Sequence, residues 1–215
     1  MADEPEPPRL LFLDACCAIN LLATGVAEEI LRSLAFGVCV TPRVLEEEVV
    51  YVREDPGAEP SDGADEGDTG ASREDPAELR LRAVGLQPLV EVGALHVVGA
   101  LSDEELETFV SLALELDDGE AETAAAAVHR GGGVATDDKK AIRVLGAYAP
   151  EVAIHRTSAL IRAWAEARAV PDQRVREVLQ AIQRHASFVP PKDDPEREWW
   201  VGKAEPEVTD GPDGP

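Results

Sequence analysis

The sequence predicts a three-layer α/β fold whose central parallel sheet has about five strands. Short apolar runs, of which residues 10–13 are the first, alternate with stretches of helical periodicity. This alternation is typical of parallel strands that are buried on both faces and joined by helices. Acidic residues directly follow several of the runs, where the next helix begins. Since ligands of such sheets bind at the carboxyl ends of the strands, we expect the functional site at that edge.

The chain is long enough for one domain with appendages. It has 215 residues, of which 44% are hydrophobic. Residues 54–75 contain no aliphatic side chain larger than alanine, so they cannot bury enough apolar area to fold and are expected to be disordered. The predicted parts are a disordered N-terminus (1–9), a main domain (10–156) with the acidic insert 54–75, a helical extension (157–189) and an acidic tail (190–215).

The expected location is the cytoplasm, with no membrane partner. No stretch approaches the roughly 18–20 continuous apolar residues that a membrane-spanning helix needs. Residues 1–8 are acidic, whereas a secretory signal would begin with basic residues.

The cysteines and histidines do not predict a disulfide framework or a zinc site. Cys16, Cys17 and Cys39 are too few for such a framework, and we expect buried free thiols. The 4 histidines lack the spacing of metal ligands, and the cysteines form no CxxC pair. Zinc is therefore not expected.

Charge is unevenly distributed along the chain. The net charge of −23 would disfavour a nucleic-acid partner if it were spread evenly. Residues 54–78 hold ten acids and one arginine, whereas residues 139–192 hold ten lysines or arginines against four acids. A basic face beside an acidic pocket is typical of a metal-dependent enzyme that acts on a polyanion, although an ordinary mixed surface would give the same counts.

Periodicity and capping residues predict the other elements. Thr41 with Pro42 is a helix start, and Ser102 with Glu105 is a capping box. The glycines at 131–133 lie between a helix and a strand, so they predict a turn rather than a phosphate-binding loop. The predicted helices are 15–24, 26–36, 43–53, 76–86, 102–114, 117–130, 141–147, 157–169 and 171–186, and the predicted strands are 10–13, 38–40, 89–98, 134–136 and 152–155.

Four acidic groups are expected to meet at the carboxyl edge of the sheet. They are Asp14 after the first strand, the glutamates 46–48 after the second, Glu120 at the start of an alanine-rich helix, and Asp137 with Asp138 after a later strand. Glu120 and Glu122 diverge by about 200° on a helix, so both cannot serve one pocket equally well, and Glu120 is the candidate that we choose.

Two uncharged polar residues accompany the acids. Thr136 brings a hydroxyl to the same edge as Asp137 and Asp138. Asn20, six positions after Asp14, either hydrogen-bonds the acidic cluster or satisfies local backbone groups.

Clustered carboxylates of this kind favour Mg²⁺ or Mn²⁺, which take oxygen ligands. Two such ions can activate water and stabilise both oxygens of an in-line phosphodiester displacement. Without the metal, the carboxylates would repel one another. The expected chemistry is therefore metal-dependent hydrolysis of a phosphodiester.

Four motifs, taken in order, resemble the signatures of PIN-domain ribonucleases. They are Leu11-Phe12-Leu13-Asp14 with Asn20, Val40-Thr41-Pro42 with Glu47, Asp118-Gly119-Glu120-Ala121-Glu122, and Ala135-Thr136-Asp137-Asp138-Lys139. The sequence is most similar to the bacterial toxin-like, VapC-type branch. The resemblance covers roughly residues 10–156, and the last two helices resemble an extension found in some of these proteins.

The resemblance implies a Rossmann-like PIN fold and a metal-dependent endoribonuclease that cleaves single-stranded RNA. The catalytic residues that it implies are Asp14, Glu47, Glu120 and Asp138. The same four, with Asp137, would hold Mg²⁺ or Mn²⁺, and Asn20 and Thr136 would support them. Asp138 best fits the family pattern of threonine, any residue, aspartate, with Asp137 as its neighbour or substitute. The implied partners are single-stranded or structured RNA, a small antitoxin protein if the chain is the toxin of a pair, and a second copy in a homodimer.

Two other functions fit part of the pattern. A haloacid-dehalogenase-like phosphatase also begins with an acid at a strand end, but it needs a second acid two residues later, where this chain has Cys16. A catalytically inactive PIN-like binding or scaffold module would keep the fold without turnover. All four acidic positions are filled, which favours the enzyme.

Overall fold

The computed structural model describes residues 9–46, 50–53 and 81–205. Its strands are β1 (Arg9–Leu13), β2 (Phe36–Val40), β3 (Val50–Arg53), β4 (Leu81–Val84), β5 (His96–Val97), β6 (Gly133–Ala135) and β7 (Ile154–His155). Five of them form one parallel sheet in the order β5-β2-β1-β6-β7, which confirms the predicted parallel sheet. Because β1 is the central strand, Asp14 follows it at the middle of the carboxyl edge.

Helices cover both faces of this sheet. They are α1 (Ala15–Ala23), α2 (Ala27–Ser33), α3 (Pro42–Glu46), α4 (Gln87–Glu91), α5 (Asp103–Leu112), α6 (Asp118–Arg130), α7 (Lys139–Tyr148), α8 (Thr157–Ala167), α9 (Asp172–His185) and α10 (Arg197–Ala204). Within the described ranges, none of these helices has the length and apolar composition that crossing a membrane requires.

The two cores of the protein arise from the alternation of side chains along β1. Leu11 and Leu13 enter one core, which contains Trp164 of α8. Phe12 points the other way, into a second core with Ala124 of α6 and Leu145 of α7. Since successive strand residues face opposite sides of a sheet, one apolar run supplies both cores. The predicted three-layer arrangement is therefore confirmed.

The predicted helix 43–53 is wrong beyond α3. The helix ends at Glu46, and Val50–Arg53 forms β3, which pairs antiparallel with Leu81–Val84. Residues 81–84 are therefore a strand where a helix over 76–86 was predicted. The sequence Val50-Tyr51-Val52 favours a strand, but its partner is about thirty residues away, beyond the reach of local periodicity.

Two further element predictions need correction. Residues 87–91 form α4, and only His96–Val97 is a strand, whereas a strand or hairpin was predicted over 89–98. Pro88 at the start of α4 is a helix-start signal that the apolar pattern obscured. The helix predicted over 26–36 ends at Ser33, and Phe36 begins β2.

The C-terminal helices pack against the core of Leu11 and Leu13. The two predicted helices are present as α8 and α9, and α10 is an element that the sequence did not predict. Trp200 of α10 is 1% exposed and meets the ring of Phe188 edge to face, with centroids 5.6 Å apart. Buried Asp194 accepts the hydroxyl hydrogen bond of Ser158 on α8. These contacts hold residues 194–200 on the domain.

Several predicted features lie outside the described residues. They are residues 1–8 of the N-terminus, Glu47, the acidic insert 54–75 and the last part of the acidic tail, 206–215.

Candidate functional site

A small cleft opens at the carboxyl edge of the sheet, between β1, β6, α6 and α7. Its lining residues are Asp14, Leu116, Glu120, Thr123, Ala124, Val134, Thr136, Ala141 and Leu145. We call this the acidic cleft. It brings together three residues that the sequence analysis selected, from positions as far apart as Asp14 and Thr136, and its remaining lining is mostly apolar.

Asp14 is the most deeply placed acid of the cleft, with 4% of its surface exposed. One carboxylate oxygen accepts the backbone N–H of Ala15 at 2.9 Å, so Asp14 caps the start of α1. The other accepts the hydroxyl of Thr136 at 2.8 Å and the thiol of Cys16 at 3.2 Å. Burial raises the pKa of Asp14, and the hydrogen bonds from Thr136 and Cys16 oppose that rise.

Glu120 lies in the first turn of α6, in a capping box with Asp117. Burial, followed by repulsion from Asp117, raises the pKa of Glu120 to about 7. Asp138 and Asp14 add smaller repulsive effects to that pKa. Four carboxyl groups from three separate segments therefore act on one another, and a bound cation would relieve their repulsion.

Thr123 is a cleft residue that the sequence analysis did not select. It is 1% exposed, and its hydroxyl has no hydrogen-bond partner among the residues that the structure describes. An unpaired buried hydroxyl is unfavourable, which indicates a bound water or ligand in the cleft. Its position, three residues after Glu120 and hence on the same helix face, is the signal that could have found it.

The hydroxyl of Thr136 links the carboxylate of Asp14 to the backbone of Asp138. It donates to Asp14 and accepts the backbone N–H of Asp138 at 3.2 Å. Asp138 caps α7, because one of its carboxylate oxygens accepts the N–H groups of Lys140 at 2.7 Å and Ala141 at 2.8 Å. These bonds fix Asp138 close enough to Glu120 for the two charges to interact.

Asp137 faces a different layer from its neighbour Asp138. One of its oxygens accepts from the side chain of Asn20 at 2.9 Å and the hydroxyl of Thr157 at 2.5 Å. The other accepts the backbone N–H of Thr157 at 3.0 Å. Asp137 thus ties β6 to α1 and to the start of α8. Asn20 was expected to bond either the acidic cluster or local backbone groups. In the structure it bonds the acid Asp137, which does not line the cleft.

Two thiols lie beside Asp137. The sulfur atoms of Cys16 and Cys17 and a carboxylate oxygen of Asp137 all lie within 4.8 Å of one another, so the group could hold a metal ion. Burial is the main cause that raises the pKa of the Cys17 thiol well above its ordinary range. Cys39 lies apart from this group, and all three cysteines are free, as the sequence predicted.

The second predicted acid, Glu47, directly follows α3 in the sequence and lies outside the described residues. α3 itself is held beside α6, because Arg43 donates to the carboxylate of Glu122 at 2.9 Å. Glu122 therefore forms an ion pair and does not line the cleft.

Much of the basic charge of residues 139–192 is used in ion pairs. Three arginines of the C-terminal helical region pair with acids: Arg156 with Asp193 and Asp194, Arg162 with Glu166 and Glu196, and Arg174 with Glu29. On α7, beside the cleft, Lys139 lies 4.0 Å from Asp193 and Arg143 lies 3.9 Å from Glu115, but both basic side chains are 72% exposed. The predicted basic face is therefore narrower than the charge count indicates, and its part nearest to the acids is the start of α7.

The fold and the cleft together define an α/β protein with a Rossmann-like parallel sheet and an acidic site at its carboxyl edge. No family model, no curated protein and no solved structure matches this chain.

Proposed function

We propose that this protein is a Mg²⁺- or Mn²⁺-dependent endoribonuclease of the PIN-domain type that cleaves single-stranded RNA. The observation that carries the proposal is that Asp14, Glu120 and Thr136 line one cleft at the carboxyl edge of the sheet. The raised pKa of Glu120, about 7, agrees with it, because burial and repulsion from Asp117, Asp138 and Asp14 cause the rise. A group of mutually repelling carboxylates, of which Asp14 is buried and Glu120 and Asp138 are half-buried, is a poor arrangement for stability and a good one for binding a hard cation.

The oxygen-rich side chains of the cleft suit such an ion. Asp14 and Glu120 would hold it, with Asp138 beside them and Glu47 as the expected fourth acid. When bound, the ion would activate water and stabilise charge on the phosphate. The unpaired hydroxyl of Thr123 supports the presence of a further polar group in the same cleft.

The chain's own residues would position the ligands and the substrate. Thr136 fixes one oxygen of Asp14 by its hydrogen bond of 2.8 Å. The exposed side chains of Lys139, Lys140 and Arg143 flank the cleft on α7 and would attract the phosphate backbone of RNA. An acidic centre beside basic side chains is consistent with cleavage of a polyanion.

The proposal extends to partners and location. A cytoplasmic toxin of this type would be neutralised by a small antitoxin protein, and two copies of the chain would form a homodimer. Co-purification with the product of the neighbouring reading frame tests the first statement, and sedimentation of the purified chain tests the second.

The direct test is cleavage of single-stranded and structured RNA by the purified chain with Mn²⁺ or Mg²⁺. We expect cleavage of the single-stranded RNA, and its loss with EDTA and in Asp14→Asn. Asp118→Asn is the matched control, because Asp118 lies on the same helix as Glu120 but its side chain is 65% exposed. Activity should be retained in that variant.

Two results would overturn the proposal. Cleavage that persists in EDTA and in Asp14→Asn would exclude the metal-dependent mechanism. RNA binding without cleavage in the presence of either ion would instead indicate the inactive binding module.

A further inference from the structure

The thiols of Cys16 and Cys17 form a group with Asp137, and none of the three residues lines the acidic cleft. The two cysteines are neighbours at the start of α1, whereas Asp137 follows β6, 120 residues further along the chain. Cys17 is completely buried and Cys16 is half-buried. Because the fold alone brings the carboxylate to the thiols, cysteine spacing does not predict a metal site here.

The distances in this group are close to those of a metal centre. The sulfur of Cys17 lies 3.4 Å from a carboxylate oxygen of Asp137. Sulfur and oxygen ligands on one tetrahedral zinc ion are about 3.6 Å apart, given their usual bond lengths. The sulfur of Cys16 accepts the backbone N–H of Asp137 at 3.2 Å, and the two sulfur atoms and a carboxylate oxygen of Asp137 lie within 4.8 Å of one another. Small side-chain movements would therefore bring all three ligand atoms onto one ion.

We propose that Cys16, Cys17 and Asp137 form a second metal site, which selects thiophilic divalent cations such as Zn²⁺ or Cd²⁺ and is chemically distinct from the acidic cleft. Two sulfur ligands favour soft or borderline ions over Mg²⁺ and Mn²⁺, which prefer oxygen. Binding forms two metal–sulfur bonds and releases the two thiol protons to solvent. The half-exposed side of Cys16 leaves a fourth ligand position for water.

The second site is directly connected to the acidic cleft through Cys16. Its thiol donates to the carboxylate of Asp14 at 3.2 Å and lies 3.4 Å from the hydroxyl of Thr136. A metal-bound thiolate can no longer donate, so Asp14 would lose one of its hydrogen bonds. Occupation of the second site should therefore inhibit RNA cleavage, a consequence that rests on the proposed function.

Binding is tested by titrating the full, metal-free chain with Cd²⁺. The titration is monitored by calorimetry and by the ultraviolet charge-transfer absorption of cadmium thiolates. We expect one ion per chain and an absorption band from two thiolates. Cys16→Ser and Cys17→Ser should each weaken binding by about tenfold or more, since even outer-shell changes at metal sites cost that much. Cys39→Ala is the matched control, because Cys39 is a buried thiol outside the group, and its binding curve should not change.

A second measurement uses no substitution, in case the variants fail to fold. Zn²⁺ should slow the alkylation of Cys16 in the wild-type chain, measured by mass spectrometry, whereas Mg²⁺ at the same concentration should not. The proposal is overturned if the wild-type chain shows no cadmium band or if the band survives in the double variant Cys16→Ser, Cys17→Ser. It is also overturned if Zn²⁺ does not slow the alkylation of Cys16. Cadmium binding by a chain that does not cleave RNA would overturn the proposed nuclease function alone.

Discussion

The side chain of Asn20 donates a hydrogen bond of 2.9 Å to the carboxylate of Asp137, 117 residues away in the sequence. The bond joins α1 to the end of β6, and Thr157 at the start of α8 completes the same carboxylate. Asp137 is therefore engaged on the face of the sheet opposite to α7, whose first turn is capped by its neighbour Asp138. Two adjacent acids at one strand end thus have different surroundings.

Asn20→Ala should destabilise the protein. The substitution removes one donor from a partly buried carboxylate, which typically costs about 1–3 kcal/mol of unfolding free energy. Urea denaturation followed by circular dichroism measures the change. An unaltered midpoint would show that the Asn20 to Asp137 bond does not stabilise the fold.

Asp138→Asn and Asp137→Asn should have opposite effects: the first should weaken Mn²⁺ binding and the second should lower stability. Asparagine caps a helix as well as aspartate does, so Asp138→Asn should keep the stability of α7 but weaken Mn²⁺ binding by about tenfold or more. Asp137→Asn should lower the unfolding free energy by about 1 kcal/mol and leave Mn²⁺ affinity in the acidic cleft intact. Calorimetric titration and thermal melting of both variants provide the comparison. The reverse pattern would assign the cleft ligand to Asp137.

Glu120→Gln should stabilise the metal-free protein at alkaline pH. The pKa of Glu120 is about 7 in the folded chain against an ordinary 4.5, so its contribution to stability is full below pH 4.5 and is lost as the pH rises through 7. Glutamine keeps the capping box and carries no charge. At pH 8.5 the variant should exceed the wild type by about 1 kcal/mol, after allowance for partial exposure.

Thermal melting from pH 5 to 9 checks this prediction. Addition of Mn²⁺ at pH 8.5 should raise the melting temperature of the wild type and have little effect on Glu120→Gln. If the wild type does not become less stable than Glu120→Gln above pH 7, the repulsion assigned between Glu120 and its neighbouring carboxylates is wrong.

The ion pair of Glu105 and Arg130 should make the fold sensitive to acid. Glu105 is buried, and its carboxylate accepts hydrogen bonds from Arg130 at 2.6 and 2.9 Å. Hydrogen bonding from Arg130 is the main cause that lowers the pKa of Glu105 to about 2. A lowered folded pKa gives stability that is present above pH 4.5 and lost as the pH falls through 2.

Glu105→Gln measures that contribution. The variant should be less stable than the wild type by about 2 kcal/mol at pH 7, and the difference should shrink as the pH falls from 5 toward 2. Urea denaturation at several pH values provides the data. A difference that stays constant with pH would show that the charge of Glu105 is unimportant.

The sequence predicted those features that depend on local pattern. The apolar run 10–13 identified the central strand, and the position of Asp14 after it identified the edge of the sheet at which the cleft lies. Helix geometry indicated that Glu120 and Glu122 cannot both serve one pocket, and the structure places Glu120 in the cleft lining and Glu122 in an ion pair with Arg43.

Features that depend on pairing between distant segments were not predicted. β3 and β4 pair through residues about thirty positions apart, and each was assigned to a helix. The contact of Asp137 with Cys17 and the role of Thr157 arise from the packing of α1 and α8 against β6, which no local pattern encodes. For the same reason, the sequence could not assign different surroundings to Asp137 and Asp138.

Diffraction from crystals grown with Mn²⁺ tests the central claim most directly. An anomalous difference map recorded at the manganese edge should place an ion within about 2.5 Å of carboxylate oxygens of Asp14 and Glu120. Manganese that binds away from Asp14, with none at the carboxyl edge of β1, would contradict the assignment of the acidic cleft as a metal centre.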